Sequence, residues 1–304
     1  MIFRLLLALL ACLHCAFASA QDSRYAFTAT PAERFEIGAT LVERHGGGGR
    51  PLILIPGLAS GPWAWQHAIR AFMGTHMVYV VTLPGFDGRP GPAATPEAAQ
   101  SALIALIEQR KLKRPVLIGH SLGGTLALAI AAQRPELVAG VVSLDGLPVS
   151  PGAEALPQEQ RARMADSFRQ RAGAGNRNDF LAQQQEYMSG TGVVDMARGD
   201  ELAKLSSRSD PLALAQYVAD AFALDLRPVL ARISAPVLLI SPYFAVDAQQ
   251  QMLTEAGKTE YYQKIMEGTP NLKVVSVSPA RHFAMFDAPE QVNAAIADFI
   301  ESVK

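Results

Sequence analysis

One five-residue stretch carries the clearest chemical signal in this chain: Gly119-His120-Ser121-Leu122-Gly123. It lies between the apolar run Val116-Leu117-Ile118 and an Ala/Leu-rich helical pattern from Gly124 to Arg134. A serine at a strand-to-helix junction, with glycine two residues away on either side, can occupy a sharp turn. Such a turn lifts the hydroxyl above a sheet edge, and the glycines give it room. The N-terminus of the following helix turns its partial positive charge toward the same spot, where a developing oxyanion would be stabilised. This is the local chemistry of a serine nucleophile.

An oxyanion site needs two backbone donors. The Leu122 N–H directly follows the serine. The second is expected in the loop after Leu52-Ile53-Leu54-Ile55, where Pro56-Gly57-Leu58 makes the Leu58 N–H the candidate. Trp63, just beyond that loop, is expected to border the substrate, with simple packing as the alternative.

The proton acceptor must be a histidine brought near Ser121. His67 falls within a helical pattern, while His45 and His76 lie near connecting loops. His120 occupies the variable position of the serine turn and should point away from the pocket. His282 follows the last apolar strand, Val274 to Val277, in the loop Ser278-Pro-Ala-Arg-His-Phe. The C-terminal ends of parallel strands share one sheet edge, so His282 and Ser121 should converge there.

Two carboxylates compete to orient that histidine. Asp145 ends the strand after the serine strand and would stand at a fixed height above the sheet. Asp247 follows the penultimate strand, but it sits seven residues past Ile240, with Gln250 three residues on, the pattern of a helix N-cap. Asp145-Gly146 is also an ordinary turn dipeptide. The strand-edge position favours Asp145, with Asp247 as the alternative. Asp225, in Leu224-Asp-Leu-Arg-Pro, is expected to be a structural helix-end residue.

The elements that must position these groups are legible as short apolar runs alternating with helical patterns. Arg34 to His45 reads as a first strand pair, and Gly46 to Gly49 as a flexible connector. Leu52–Ile55, Met77–Leu83, Val116–Ile118 and Val138–Leu144 read as strands, with helices at Trp63–Met73 and Pro96–Lys111. Runs of this length bounded by Gly and Pro indicate strands covered on both faces, hence a mostly parallel sheet with right-handed crossovers. The alternation pauses between Leu147 and Ile233 in a stretch with helical periodicity, broken at Gly173-Ala174-Gly175 and Gly190-Thr191-Gly192. It resumes with a strand at Pro236–Ile240, a helix at Gln249–Met266, a strand at Leu272–Val277 and a helix at Pro289–Val303. The pause, about residues 148–232, is expected to form a helical cap. Its Met164, Phe168, Phe180, Tyr187, Met188, Met196, Tyr217 and Phe222 would supply cap core or pocket wall.

From Pro51 to Val303 the chain resembles the α/β-hydrolase fold family in strand order, serine turn, cap insertion and the order Ser…Asp…His. The resemblance implies an α/β fold with a mostly parallel, twisted sheet, helices on both faces and a helical cap. Two departures stand out. Pro56-Gly57 replaces the family's usual His-Gly before the oxyanion loop. Ser241-Pro242-Tyr243-Phe244 replaces the usual Gly-x-x-Asp after the penultimate strand. Some members carry the acid one strand earlier, and Asp145-Gly146-Leu147-Pro148 looks like that variant. A serine in place of the aspartate used by epoxide- and halide-processing members implies acyl transfer, foremost hydrolysis of carboxylic esters. The same triad could serve an amide, lactone, thioester or C–C hydrolase, and the same fold a non-catalytic ligand-binding protein.

Composition narrows the field further. The chain has 304 residues, 27 Lys+Arg, 28 Asp+Glu and 49% hydrophobic residues. That excludes a disordered chain and gives no electrostatic reason to expect a nucleic-acid partner. No cofactor and no metal is expected, since the histidines show no zinc-type pairing. The expected partner is a small-molecule ester, and nothing indicates the oligomeric state. Arg4, the apolar run Leu5–Leu13 and Ala18-Ser19-Ala20 have the layout of a signal peptide over residues 1–20, leaving residues 21–304 as the exported hydrolase domain. Lipid attachment at Cys12 is the alternative. Later segments are too short to form a stable membrane span. Cleavage after Ala20 would remove both cysteines and suit a periplasmic or secreted protein whose stability rests on its core.

Overall fold

A computed structural model of the protein describes residues 29–92, 94–171, 177–250 and 252–303. The expected leader with Cys12, and the expected break at 173–175, lie outside these residues. Eight strands form one sheet: β1 (Glu33–Ile37), β2 (Thr40–His45), β3 (Pro51–Ile55), β4 (Met77–Thr82), β5 (Val116–His120), β6 (Gly140–Leu144), β7 (Val237–Pro242) and β8 (Leu272–Val277). Their spatial order is β1-β2-β4-β3-β5-β6-β7-β8. β2 pairs antiparallel with β1 and β4, and every other pairing is parallel.

The strands are apolar throughout because both faces are covered. Alternate residues of β3 serve opposite cores: Ile53 and Ile55 pack on one side, Leu52 and Leu54 on the other. The helices that flank the sheet include α1 (Gln66–Phe72), α2 (Pro96–Gln109), α3 (Leu122–Gln133), and, later in the chain, α10 (Ala284–Asp287) and α11 (Pro289–Ser302). α3 is buried almost all round, which explains its unbroken Gly, Ala, Leu and Ile sequence.

Between β6 and β7 lies the helical cap: α4 (Gln158–Arg171), α5 (Arg177–Tyr187), α6 (Met196–Ser206) and α7 (Pro211–Ala223). The expected break at Gly190–Gly192 is instead a π turn, Met188–Gly192, that continues from α5. Asp210 caps α7 by accepting from the Leu212 and Ala213 N–H groups. Asp225 accepts from the Arg227 N–H at 3.1 Å, at the start of a short 3-10 helix, Arg227–Arg232. It also forms an isolated bridge with Val149, so both ends of the cap meet at one place.

The single helix expected over Gln249–Met266 is two, α8 (Ala245–Gln250) and α9 (Glu255–Ile265). Thr254 starts the second by accepting from the Gly257 N–H at 3.0 Å. No helix among the described residues is long and apolar enough to cross a membrane.

Candidate active site

Strand register sets the height of two of the expected residues. His120 pairs with Leu144 across β5 and β6, and Leu144 pairs with Ile240 across β6 and β7. The ladder runs one bond further on each side: Ser121 N–H donates to the Leu144 carbonyl at 2.9 Å, and Asp145 N–H to the Ile240 carbonyl at 3.0 Å. Ser121 and Asp145 are therefore the first residues past neighbouring strands, at one level of the sheet edge. Both adopt left-handed backbone, with φ of 52° and 54°. Such conformations are strained in non-glycine residues and persist only where the surroundings enforce them. For Ser121 the enforcement is packing. A Cβ on Gly119 would sit 2.1 Å from the Gly123 carbonyl oxygen, and one on Gly123 would sit 2.2 Å from that of Ile55. Only glycine lets the turn close this tightly.

His282 reaches the same edge from the loop after β8. Its Nδ1 lies 2.5 Å from Asp145 Oδ2. With Nδ1–H donating to the carboxylate, the Nε2 lone pair is left to accept a proton. Ser121, Asp145 and His282 together line a cavity of about 240 Å³. Leu58 and Leu122 line it too, and neither backbone N–H donates to an acceptor among the described residues. Leu147, Pro148 and Val149 from the start of the cap, with Ala221 from α7, form the opposite wall.

Asp145 is held as a carboxylate. Burial alone would raise its pKa. The charge and hydrogen bond of His282, the Lys258 ammonium and the Tyr262 hydroxyl outweigh that and bring it down to about 2. Tyr262, from α9, donates its hydroxyl proton to Asp145 Oδ1. Burial and the neighbouring Asp145 charge push the tyrosine's own pKa well up, so it stays a neutral donor.

The histidine loop is fastened from two sides. His282 and Phe283 N–H groups donate to the Thr191 and Gly192 carbonyls of the cap's π turn, at 3.2 and 2.8 Å. From below, His120 Nε2 lies 3.0 Å from the His282 carbonyl oxygen, which can only accept, so Nε2 carries the hydrogen. The His120 ring packs 4.6 Å from those of His282 and Phe283. Complete burial, then the adjacent His282, holds its pKa well below the histidine range. His120 lies outside the cavity, as its place in the turn implies, but it supports the loop that carries His282. Sequence spacing did not reveal that contact.

Three expectations need correction. Asp247, the alternative acid, shares a second pocket with His282 but makes no hydrogen bond to it among the described residues. Its two carboxylate oxygens each accept from Arg281, at 2.7 Å, and it sits inside the first turn of α8 rather than capping it. Trp63 does not border the cavity. It is 1% exposed and stacks on Phe283 and Phe286, with centroids 6.3 Å away, because a large indole beside two phenylalanines is best buried there. Of the expected cap aromatics and methionines, only Tyr187 comes to the site, setting its ring edge-on to His282 with centroids 6.3 Å apart. Phe180, Met188 and Tyr217 are buried, Phe168 and Phe222 pack edge-to-face, and Met164 and Met196 are exposed. His45, His67 and His76 also lie away from the cavity.

Comparisons with known proteins agree with this architecture. A family model described as the alpha/beta hydrolase family matches residues 52–295. The chain is 27% identical over 253 residues to the biotin biosynthesis bifunctional protein BioHC of Cellvibrio japonicus. That match takes in 83% of this chain and 48% of the relative, so the chain spans about half of that protein's length. It is also 27% identical over 258 residues to a pimeloyl-(acyl-carrier protein) methyl ester esterase of Neisseria meningitidis, covering 84% of this chain and 94% of the relative. Among solved structures, a thermophilic esterase from Thermogutta terrifontis superposes with a TM-score of 0.67 at 21% identity, covering 89% of this chain and 99% of that one, a likeness of fold. The chain belongs to the alpha/beta hydrolase family.

Proposed function

We propose that this hydrolase cleaves carboxylic esters through an acyl-enzyme on Ser121, with His282 as general base and Asp145 as its orienting acid. The observation that carries the reading is the His282–Asp145 pair, 2.5 Å apart, facing the cavity that Ser121 also lines. In this reading Ser121 Oγ attacks the ester carbonyl carbon while its proton passes to His282 Nε2. The carbonyl oxygen takes the electron pair and is met by the Leu58 and Leu122 N–H groups. Collapse of the tetrahedral intermediate breaks the bond to the alcohol oxygen, which leaves with the proton from His282. Water then repeats the sequence: His282 takes its proton, its oxygen attacks the acyl carbon, and Ser121 Oγ is released with that proton returned.

Asp145 carries its negative charge throughout and stabilises the imidazolium that forms twice per turnover. The cavity volume of about 240 Å³ lies under the range of drug-sized sites, which supports small to medium esters as substrates. The test is a series of chromogenic esters of increasing acyl length, together with labelling by a fluorophosphonate. Turnover that disappears in Ser121→Ala, with the label on Ser121 of the wild type, is the expected result. An unlabelled serine in folded protein contradicts an enzyme of this kind.

We also propose that residues 1–20 direct export, on the strength of Arg4, the Leu5–Leu13 run and Ala18-Ser19-Ala20. The mass of the protein recovered from culture medium and periplasm checks this. An N-terminus at Gln21 supports it, and a full-length chain confined to cytosol contradicts it.

A further inference from the structure

The two oxygens of Asp145 have different partners. Oδ2 faces His282, while Oδ1 accepts from the Tyr262 hydroxyl. Resting on the triad reading above, we propose that Tyr262 is a positioning residue. Its hydroxyl pins one carboxylate oxygen so that the other is presented to His282.

Three observations bear on this. First, Asp145 stands on a left-handed backbone one residue past its strand, which fixes the height of its carboxylate but not its rotation. A carboxylate held by one contact could pivot about χ2, but one held by two cannot. Second, Tyr262 is buried and lines the cavity that holds Ser121. A buried hydroxyl without a partner is costly, and a neutral phenol facing a carboxylate can only donate, so the direction of this bond is set. Third, α9 braces the ring. Lys258, one turn earlier, places its ammonium 5.4 Å from the Tyr262 ring centroid and donates to the Pro242 carbonyl at the end of β7. Tyr261 packs against the ring edge-on, with centroids 5.8 Å apart.

The charged and titratable groups acting on Asp145 come from four places. They are His282 on the loop after β8, Lys258 and Tyr262 on α9, Tyr187 at the end of α5 and His120 at the end of β5. Of the four besides His282, only Tyr262 bonds to the carboxylate directly. The geometry also accounts for an acid after β6. The strand edge sets its height, and a residue from the helix between β7 and β8 sets its rotation.

The experiment is Tyr262→Phe, which keeps the ring and removes the hydroxyl, assayed on the ester series with a full pH profile. The expected result is a fall in kcat of about tenfold on every ester, with KM within about twofold, since an orienting contact to a charged group is lost. The acid limb of kcat/KM moves to higher pH, because Asp145 without its donor becomes more basic and strengthens its hold on the imidazolium. Lys258→Met moves the limb the same way by less, a second reading should Tyr262→Phe fold poorly.

An unchanged kcat and pH profile overturns the proposal. A rise in KM that varies from ester to ester, with the limb unmoved, also overturns it and makes the hydroxyl a substrate contact. Asp145→Asn in the same series separates the two ideas. An inactive Asp145→Asn with a silent Tyr262→Phe defeats the tyrosine's role alone, whereas an active Asp145→Asn defeats the triad reading and this proposal together.

Discussion

Asp145 and Asp247 follow adjacent parallel strands, β6 and β7, and are met by consecutive residues of a single loop, His282 and Arg281. Their situations differ in every other respect. Asp145 is fastened to the sheet by its own backbone bond to Ile240, and its side chain is 12% exposed. Asp247 sits in a short helix beyond β7, with its side chain 37% exposed. Arg281 also donates to the Ser189 and Val193 carbonyls of the cap, at 2.5 and 3.1 Å, so the Asp247 pair ties the histidine loop to the cap. A guanidinium stays protonated and can relay nothing, while an imidazole can. The contrast teaches that an acid's place is decided less by which strand it follows than by which member of the loop reaches it.

The largest expected effect is at the proposed nucleophile. Ser121→Ala should lower kcat/KM by about 10⁴-fold or more, measured as steady-state turnover of a chromogenic ester. Next comes the floor under the loop. Phe283, beside His282, rests on Trp63, so Trp63→Ala should destabilise the fold by about 3–5 kcal/mol in urea titrations. A smaller loss with disrupted substrate binding would return Trp63 to the pocket wall.

Acid titration reads the Asp145 side of the comparison directly. The pKa of Asp145 is depressed to about 2 in the fold, against about 3.9 unfolded, so the stabilisation it brings is present above pH 4 and disappears as pH falls through 2. Across that window wild type should lose on the order of 2 kcal/mol more stability than Asp145→Asn does. The smallest effect is that of Arg281→Met, which removes the loop's bonds to the Ser189 and Val193 carbonyls and leaves those of the His282 and Phe283 N–H groups. It should lower kcat by about fivefold with little change in KM, by the loss of charge-assisted bonds to the cap.

Much of the frame was readable because its causes are local. Gly119 and Gly123 mark the serine turn since no Cβ fits there, and the runs at β3, β5, β6 and β7 are apolar because helices cover both faces. His282 could be found by its place after the last strand, and Asp145 by ending one. What escaped depends on packing between segments far apart in sequence. Nothing near Tyr262 signals that α9 will aim it at Asp145, and nothing near Asp247 signals Arg281. Trp63 misled because a tryptophan beside an expected oxyanion loop reads equally as wall or core, and only Phe283 and Phe286 decide it. The cavity wall proved to be Leu147–Val149 and Ala221, which carry no distinguishing composition.

The assignment of the acid is the centre of the account, and one paired measurement tests it: kcat/KM of Asp145→Asn and Asp247→Asn on a chromogenic ester, with both proteins shown to be folded. Asp145→Asn should fall by about 10³–10⁴-fold, from loss of the carboxylate that fixes the tautomer and steadies the imidazolium, while Asp247→Asn should stay within about tenfold of wild type. The reverse order, with Asp247→Asn inactive and Asp145→Asn working, would contradict it.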